Sequence, residues 1–198
     1  PTFAAKWLVP RLGSFQKQHP DIAVHLSSRT RPFLFADTAL DAAIHAGEAN
    51  WPGTESVFLM DESIVAVGSP ELVTTRRKLK AEDLASLPLL QMSTRPYAWR
   101  QWFASLGLEV ANDMAGARME LFSMTAEAAI HGQGLALIPR FLIEDDIAAG
   151  RLVPIVKHEF LSDRRYYLIY PEQKSGNAAL ALFRAWLEAE AALYRLNA

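Results

Sequence analysis

The stretch MTAEAAIHGQGLALIPRFLIEDDIAAG, residues 124–150, predicts three elements in close succession. MTAEAAIHG is a short helix that ends at glycine, and LALI is an apolar run typical of a buried strand. Pro139 suits the first turn of a second helix, which ends near Gly150. Strands that alternate with helices are typical of α/β folds, in which helices cover both faces of a mostly parallel sheet. We therefore expect an α/β fold.

The same alternation extends over the rest of the chain. IAVHLSS (22–28) alternates apolar and polar residues and is expected to be a strand. Two proline-bounded strands near 62–69 and 166–171 are candidates for crossings between two lobes. The remaining predicted strands lie near 41–47, 56–60, 89–92 and 117–121, and the remaining helices near 97–107 and 177–196.

The first 18 residues predict an amphipathic helix. Its apolar residues recur every three or four positions, with Thr2 as a cap for the first turn and Pro10 as the cause of a bend or a late start. His19-Pro20 ends it, because the residue before a proline favours extended conformations. The apolar stripe comprises Phe3, Trp7, Leu8, Leu12 and Phe15.

Composition limits the function classes. Half of the 198 residues are hydrophobic, cysteine is absent, and the formal net charge is −2. The lack of cysteine excludes disulfides and thiolate metal sites, and favours a reducing compartment, so we expect a cytoplasmic protein. A surface that binds DNA by itself is normally basic, so this chain is not expected to bind DNA alone. No apolar run approaches the length of a membrane span, and we expect no membrane partner.

Several stretches, in order over nearly the whole chain, resemble the effector-binding domain of LysR-type transcriptional regulators. They include FAAKWLVPRLGSFQKQHPDI, LDAAIHAGEANWPGTESVFLMDESIVAVGSPEL, WRQWFASLG and AAIHGQGLALIPRFLIEDDIAAGRLVP. The WP-G turn and the W-x-x-W helix are most similar to the branch around the glycine-cleavage activator and the AmpR regulator. The resemblance implies two Rossmann-like lobes joined by two crossing strands, a fold like that of type II periplasmic binding proteins. Lobe I would hold residues 1–66 and 170–198, and lobe II residues 67–169.

The resemblance also implies a small effector bound between the lobes and an antiparallel homodimer, which is a tetramer in the full-length protein. DNA would be bound only through an N-terminal helix-turn-helix domain that this chain lacks. The opening helix would pair with the helix around 122–132 of a second subunit, although its stripe could instead pack within its own chain. The expected interface residues are Trp7, Leu8, Leu12, Phe15, Met124 and Ala128.

An anionic or zwitterionic effector is expected, because helix N-termini offer free backbone donors and Arg29 can clamp a carboxylate. Each candidate also has a structural explanation: Arg29 can be a surface charge, His45 a core histidine, and Thr2 and Ser123 helix caps. If His45 binds while protonated, affinity should fall as pH rises past about 6.5. The expected ligand contacts are Thr2, Phe3, Arg29, His45, Gly47, Trp51, Ser93, Phe122, Ser123 and Met124.

Motifs for other chemistry are missing or weak. The chain has no G-x-S-x-G elbow, and Gly132-Gln133-Gly134 lacks the rest of a nucleotide-binding fingerprint. The basic run Arg76-Arg77-Lys78 is more consistent with a surface loop than with a phosphate site, and Trp99 and Trp102 with core packing than with ligand stacking. We expect no catalytic residue, no cofactor and no metal. The alternatives are a free-standing solute-binding protein of the same fold and an enzyme of two-lobed architecture.

Overall fold

The computed structural model describes residues 1–74 and 79–197, so the basic run at 76–78 lies outside the described residues. Within that range, none of the helices is long and apolar enough to cross a membrane. The helices are α1 (Val9–Gln18), α2 (Pro70–Thr74), α3 (Ala98–Ala104), α4 (Phe122–Ile130), α5 (Glu144–Ala148) and α6 (Ala178–Asn197). The strands are β1 (Ala43–Gly47), β2 (Thr54–Gly68), β3 (Gln91–Met92), β4 (Arg118–Met119), β5 (Ala136–Pro139) and β6 (Val153–Pro171).

The opening helix changes geometry just before Pro10. Residues Ala4–Leu8 form a π-helical turn, and α1 begins at Val9, whose N–H donates to the carbonyl of Ala4. Pro10 is the second residue of α1, a position at which the missing N–H removes no bond within α1. The irregularity expected at this proline is therefore a wide turn followed by a new helical start.

Two compact units divide the chain. Unit 1 holds Pro1, Phe3–Glu62 and the chain from Ser162 onward, and unit 2 holds Thr2 and Ser63–Leu161. Strands β2 and β6 each contribute residues to both units. The lobe boundaries expected near residues 66 and 170 stay a prediction.

Unit 1 is built around the opening helix, α6 and an antiparallel pair of strands. Strand β1 pairs with the end of β6, with His45 opposite Tyr167. Phe15 is fully buried and its ring lies 5.4 Å from Phe183 and 5.3 Å from Trp186 of α6. The indole N–H of Trp186 donates to Ser14 Oγ at 2.9 Å, which links α6 to α1 by a polar contact as well.

Unit 2 packs its helices on short strands. Strand β2 pairs antiparallel with β5, whereas β3 and β4 are parallel and Leu89 bridges Leu135 in parallel. Trp99 and Trp102 are buried in its core, as expected, and the Trp99 indole N–H donates to the carbonyl of Leu90. Because β3 and β4 are parallel, the residues that follow them lie at the same edge, which is where α4 begins.

Three expectations from the sequence need correction. Residues 22–28 belong to no strand, because an alternating segment becomes a strand only where a neighbour completes its hydrogen bonds. The separate strands expected at 56–60 and 62–69 are one strand, β2, and the strand at 166–171 is the end of the 19-residue β6. Antiparallel pairing of β1 with β6 and of β2 with β5 also replaces a mostly parallel sheet, because periodicity identifies a strand but not the direction of its partner.

Candidate functional site

The N-terminus of α4 is capped by a residue distant in sequence. The N-cap residue Leu121 has no side chain to cap the helix, and the N–H of Ser123 donates to Thr2 Oγ1 at 3.1 Å. Thr2 is buried, and its hydroxyl lies 3.5 Å from Ser123 Oγ. The sequence-based expectation was therefore wrong in detail: Thr2 caps α4 and not its own helix, and Ser123 is the second helical residue and not the cap.

Free donors remain at this helix start. Within the described part of the chain, the backbone N–H groups of Phe122 and Met124 have no acceptor, while the N–H of Thr125 already bonds the carbonyl of Leu121. The helix dipole adds partial positive charge at the same end. An anionic group could therefore be held here by backbone alone.

An arginine that the sequence did not single out lies at the same place. The guanidinium carbon of Arg95 is 5.0 Å from the ring centroid of Phe122, the first residue of α4. Arg95 belongs to the turn after β3, in which the N–H of exposed Ser93 donates to the carbonyl of Met119 at 2.8 Å. No motif marks Arg95, and the only signal available was its position two residues after a predicted ligand contact.

In unit 1, four half-buried rings form what we call the aromatic cluster: Phe33, Phe35, His45 and Trp51. Trp51 is its centre, with ring-centroid distances of 5.0 Å to His45, 5.6 Å to Phe33 and 6.0 Å to Phe35. The guanidinium carbon of exposed Arg29 lies 5.9 Å from the ring of Phe33. The predicted contacts Arg29, His45 and Trp51 are thus brought together by two phenylalanines that the sequence did not single out.

The surroundings of His45 favour its neutral form. Burial lowers its pKa below the usual value of about 6.5, and the nearby positive charge of Arg164 lowers it further. Gly47 leaves room for this ring, because a Cβ at that position would lie 2.5 Å from His45 Nε2 and the imidazole would have to move. The fall in affinity expected as pH rises past 6.5 is therefore corrected to a lower pH.

Acid should destabilise the fold through His45. A histidine whose pKa is lower in the folded than in the unfolded state contributes stability above about pH 6.5, and this contribution is lost as pH falls through the folded pKa. Urea unfolding at pH 7.5 and pH 5.0 measures the loss, which we expect to be smaller in His45→Gln. An equal loss in the variant and the wild type would contradict the role of His45.

Other predicted residues lie in the interior or on the surface. Phe3 is buried and stacks on Tyr166 at 5.1 Å, so it contributes to the core of unit 1. The side chains of Trp7, Leu8, Leu12 and Phe15 are also buried within unit 1, which gives the stripe of the opening helix an intramolecular role. Of the two interface residues expected on α4, Met124 is 49% exposed and Ala128 is buried.

One acidic residue of α5 has a structural role. Asp146 is buried and accepts hydrogen bonds from the guanidinium of Arg151, one of them at 3.0 Å. No group of three or more potential metal ligands is found among residues 1–74 and 79–197.

Comparison with known proteins identifies the family. The LysR substrate binding domain family model matches residues 1–192. The glycine cleavage system transcriptional activator of Escherichia coli K12 is 37% identical over 97% of this chain, and the AmpR activator of Citrobacter koseri 32% identical over 94%. The chain spans just under two thirds, 63%, of the length of either relative.

Solved structures of similar proteins agree with this family match. The effector domain of the AmpR regulator of Pseudomonas aeruginosa is 29% identical, with a TM-score of 0.88 over 98% of this chain and 93% of that one. The expected fold of type II periplasmic binding proteins is thereby confirmed. The relatives are transcription regulators, which favours a regulatory domain over a free-standing solute-binding protein or an enzyme. The chain belongs to the LysR substrate binding domain family.

Proposed function

We propose that the effector is a small anionic or zwitterionic molecule and that the start of α4 binds its anionic end. The observation that carries this proposal is the set of donors there: the free N–H groups of Phe122 and Met124, the hydroxyl of Ser123 and the guanidinium of Arg95. A carboxylate accepts hydrogen bonds from such donors and is stabilised by both the helix dipole and the arginine.

Residues of unit 1 contribute a second set of contacts in this proposal. Arg29 supplies a further cation, while His45, Gly47 and Trp51 supply a half-buried surface beside it. An effector shifts a conformational equilibrium only if it binds one conformation more tightly than another.

We further propose that the full-length protein is cytoplasmic and binds DNA through a helix-turn-helix domain outside this chain. The names of its relatives support this, since they are transcriptional activators and each is longer than this chain. The net charge of −2 is consistent with a chain that does not bind DNA backbone by itself.

We also propose a homodimer, which assembles to a tetramer in the full-length protein. The face of the opening helix that contacts the second subunit differs from the one that the sequence suggested. Since Trp7, Leu8, Leu12 and Phe15 are buried, the face available to a second subunit is the opposite one, which carries Ala5, Val9 and Gly13 at four-residue spacing. On α4, the exposed Met124 is the residue best able to adapt to such a contact.

Val9→Glu tests this dimer. Val9 is 50% exposed, so glutamate should leave the fold intact and place a charge in the interface, and light scattering should report the mass of a monomer. Leu12→Glu is a poor substitute, because Leu12 is buried and a glutamate there is expected to destabilise the fold of unit 1 as well. A folded Val9→Glu protein with the mass of the wild type would contradict the interface.

A thermal-shift screen tests the effector proposal. Amino acids, peptidoglycan fragments and small carboxylates are each added to the chain. A ligand present at a hundred times its Kd stabilises the folded state by about 2.7 kcal/mol, which gives a clear shift of the midpoint. An acidic or zwitterionic compound should shift the midpoint, and the shift should shrink in Ser123→Ala. If only cationic compounds or compounds without any charged group shift the midpoint, the proposed charge of the effector is wrong.

A further inference from the structure

The aromatic cluster of unit 1 has the properties of a recognition surface and not only of a packed core. All four of its rings are half-buried, so each keeps part of its surface open to solvent. Three of them surround the indole of Trp51 at 5.0–6.0 Å between ring centroids. This is the spacing at which aromatic rings attract each other through their faces and edges, and a further flat group can use the same interaction.

The polar atoms of the cluster are unused. In the described part of the chain, neither the indole N–H of Trp51 nor either ring nitrogen of His45 has a hydrogen-bond partner. Because both residues are only half-buried, these atoms are open to water in the free protein and remain available to a ligand. A ligand that brings acceptor and donor atoms would satisfy them.

Two arginines lie beside the cluster. Arg29 lies over Phe33, and the positive charge of Arg164 is close enough to affect His45. Neither arginine forms an ion pair with any residue in 1–74 or 79–197. The surroundings of the rings therefore favour a negative charge on the ligand, and Arg29 offers two parallel N–H donors for it.

We propose that the aromatic cluster binds a flat, unsaturated group against Trp51 and that Arg29 binds a carboxylate attached to that group. This inference rests on the proposed function and narrows it, because it makes the effector a planar carboxylate and not any small anion. Stacking on aromatic rings contributes about 0.5–1.5 kcal/mol beyond the burial of area, which a saturated ring of similar size does not receive.

Calorimetric titration with three probes tests the proposal. Benzoate has a flat ring and a carboxylate, cyclohexanecarboxylate has the carboxylate without the flat ring, and benzamide has the flat ring without the charge. We expect benzoate to bind about threefold to tenfold more tightly than cyclohexanecarboxylate, which corresponds to the stacking contribution. Benzamide should also bind more weakly than benzoate. Equal binding of the two acids, or no binding of benzoate, would overturn the proposal.

Two variants locate the binding. Trp51→Leu should remove the preference for benzoate over cyclohexanecarboxylate, and Arg29→Gln should weaken both acids and leave benzamide unchanged. Arg29 is exposed, so its variant stays informative if Trp51→Leu fails to fold. Tyr97→Leu is the control, because Tyr97 is an exposed aromatic residue of unit 2 outside the cluster. If Trp51→Leu still prefers benzoate over cyclohexanecarboxylate, the flat ring binds outside the aromatic cluster and the proposal is wrong.

The same titrations separate this inference from the proposed function. Ser123 belongs to unit 2 and is no part of the cluster. If a compound from the thermal screen loses affinity in Ser123→Ala while benzoate does not bind, the effector proposal stands and the aromatic inference fails. If benzoate binds through Trp51 while no screened anion depends on Ser123, the site at α4 fails instead.

Discussion

Phe15→Ala is expected to lower the free energy of unfolding by about 3–5 kcal/mol, the cost of truncating a buried phenylalanine. Phe15 is fully buried, and its ring meets those of Phe183 and Trp186 of α6. The alanine variant leaves a cavity between two helices that hold unit 1 together. Urea unfolding followed by circular dichroism measures the loss.

The control is Leu182→Ala on α6, the helix that Phe15 contacts. Because Leu182 is 42% exposed, its truncation should change the free energy of unfolding by less than about 0.5 kcal/mol. The loss in Phe15→Ala should not depend on protein concentration, since the contacts of Phe15 lie within one chain. A loss below about 1 kcal/mol, or one that appears only in the dimer, would contradict the assigned packing.

Gly116→Ala is expected to be similarly damaging for a backbone reason. Gly116 has a φ of +116°, and a Cβ there would lie 1.9 Å from the carbonyl oxygen of Leu89. The clash is with main chain, so no side-chain rotation relieves it. We expect a loss above about 2 kcal/mol, from the positive φ together with the displaced backbone at Leu89, measured by thermal unfolding.

Gly13→Ala is expected to change the free energy of unfolding in the opposite direction. Gly13 lies inside α1 with nothing within 4 Å of the position of a Cβ. Alanine there should stabilise the single chain, measured in the Val9→Glu background that removes the proposed dimer contact, by about 0.5–1 kcal/mol, because glycine loses more backbone entropy in a helix. If the two glycine variants changed stability equally, the close approach of Gly116 to Leu89 would be wrong.

The sequence predicted the elements of the fold better than their pairing. The apolar spacing of the opening helix, Gly107 and Gly150 as helix ends, and the short strand at 135–138 are all local signals, and each is close to the observed element. The antiparallel pairing of β1 with β6 joins residues more than 100 positions apart, and periodicity contains no information on it. The segment at 22–28 alternates like a strand but has no neighbouring strand to pair with. The local sequence cannot reveal that this neighbour is missing.

Site residues were predictable only where a residue type had an obvious chemistry at a strand or helix end. Ser123 and His45 could be found in this way. Arg95, Phe33 and Phe35 could not, because what distinguishes them is a neighbour in space: Phe122 for Arg95, and Trp51 for the two phenylalanines. The bond between Thr2 and Ser123 spans 121 positions and replaced the local caps that the sequence predicted.

The central claim is that donors at the start of α4 hold the anionic end of an effector. Calorimetry tests it with the first anionic or zwitterionic compound that passes the thermal screen, titrated into wild type, Ser123→Ala and Arg95→Gln. Lys17→Gln is the charge-matched control, since Lys17 is exposed on α1. We expect at least a tenfold weaker Kd in both site variants, about 1.4 kcal/mol each, and an unchanged Kd in the control. Wild-type affinity in both Ser123→Ala and Arg95→Gln would contradict it.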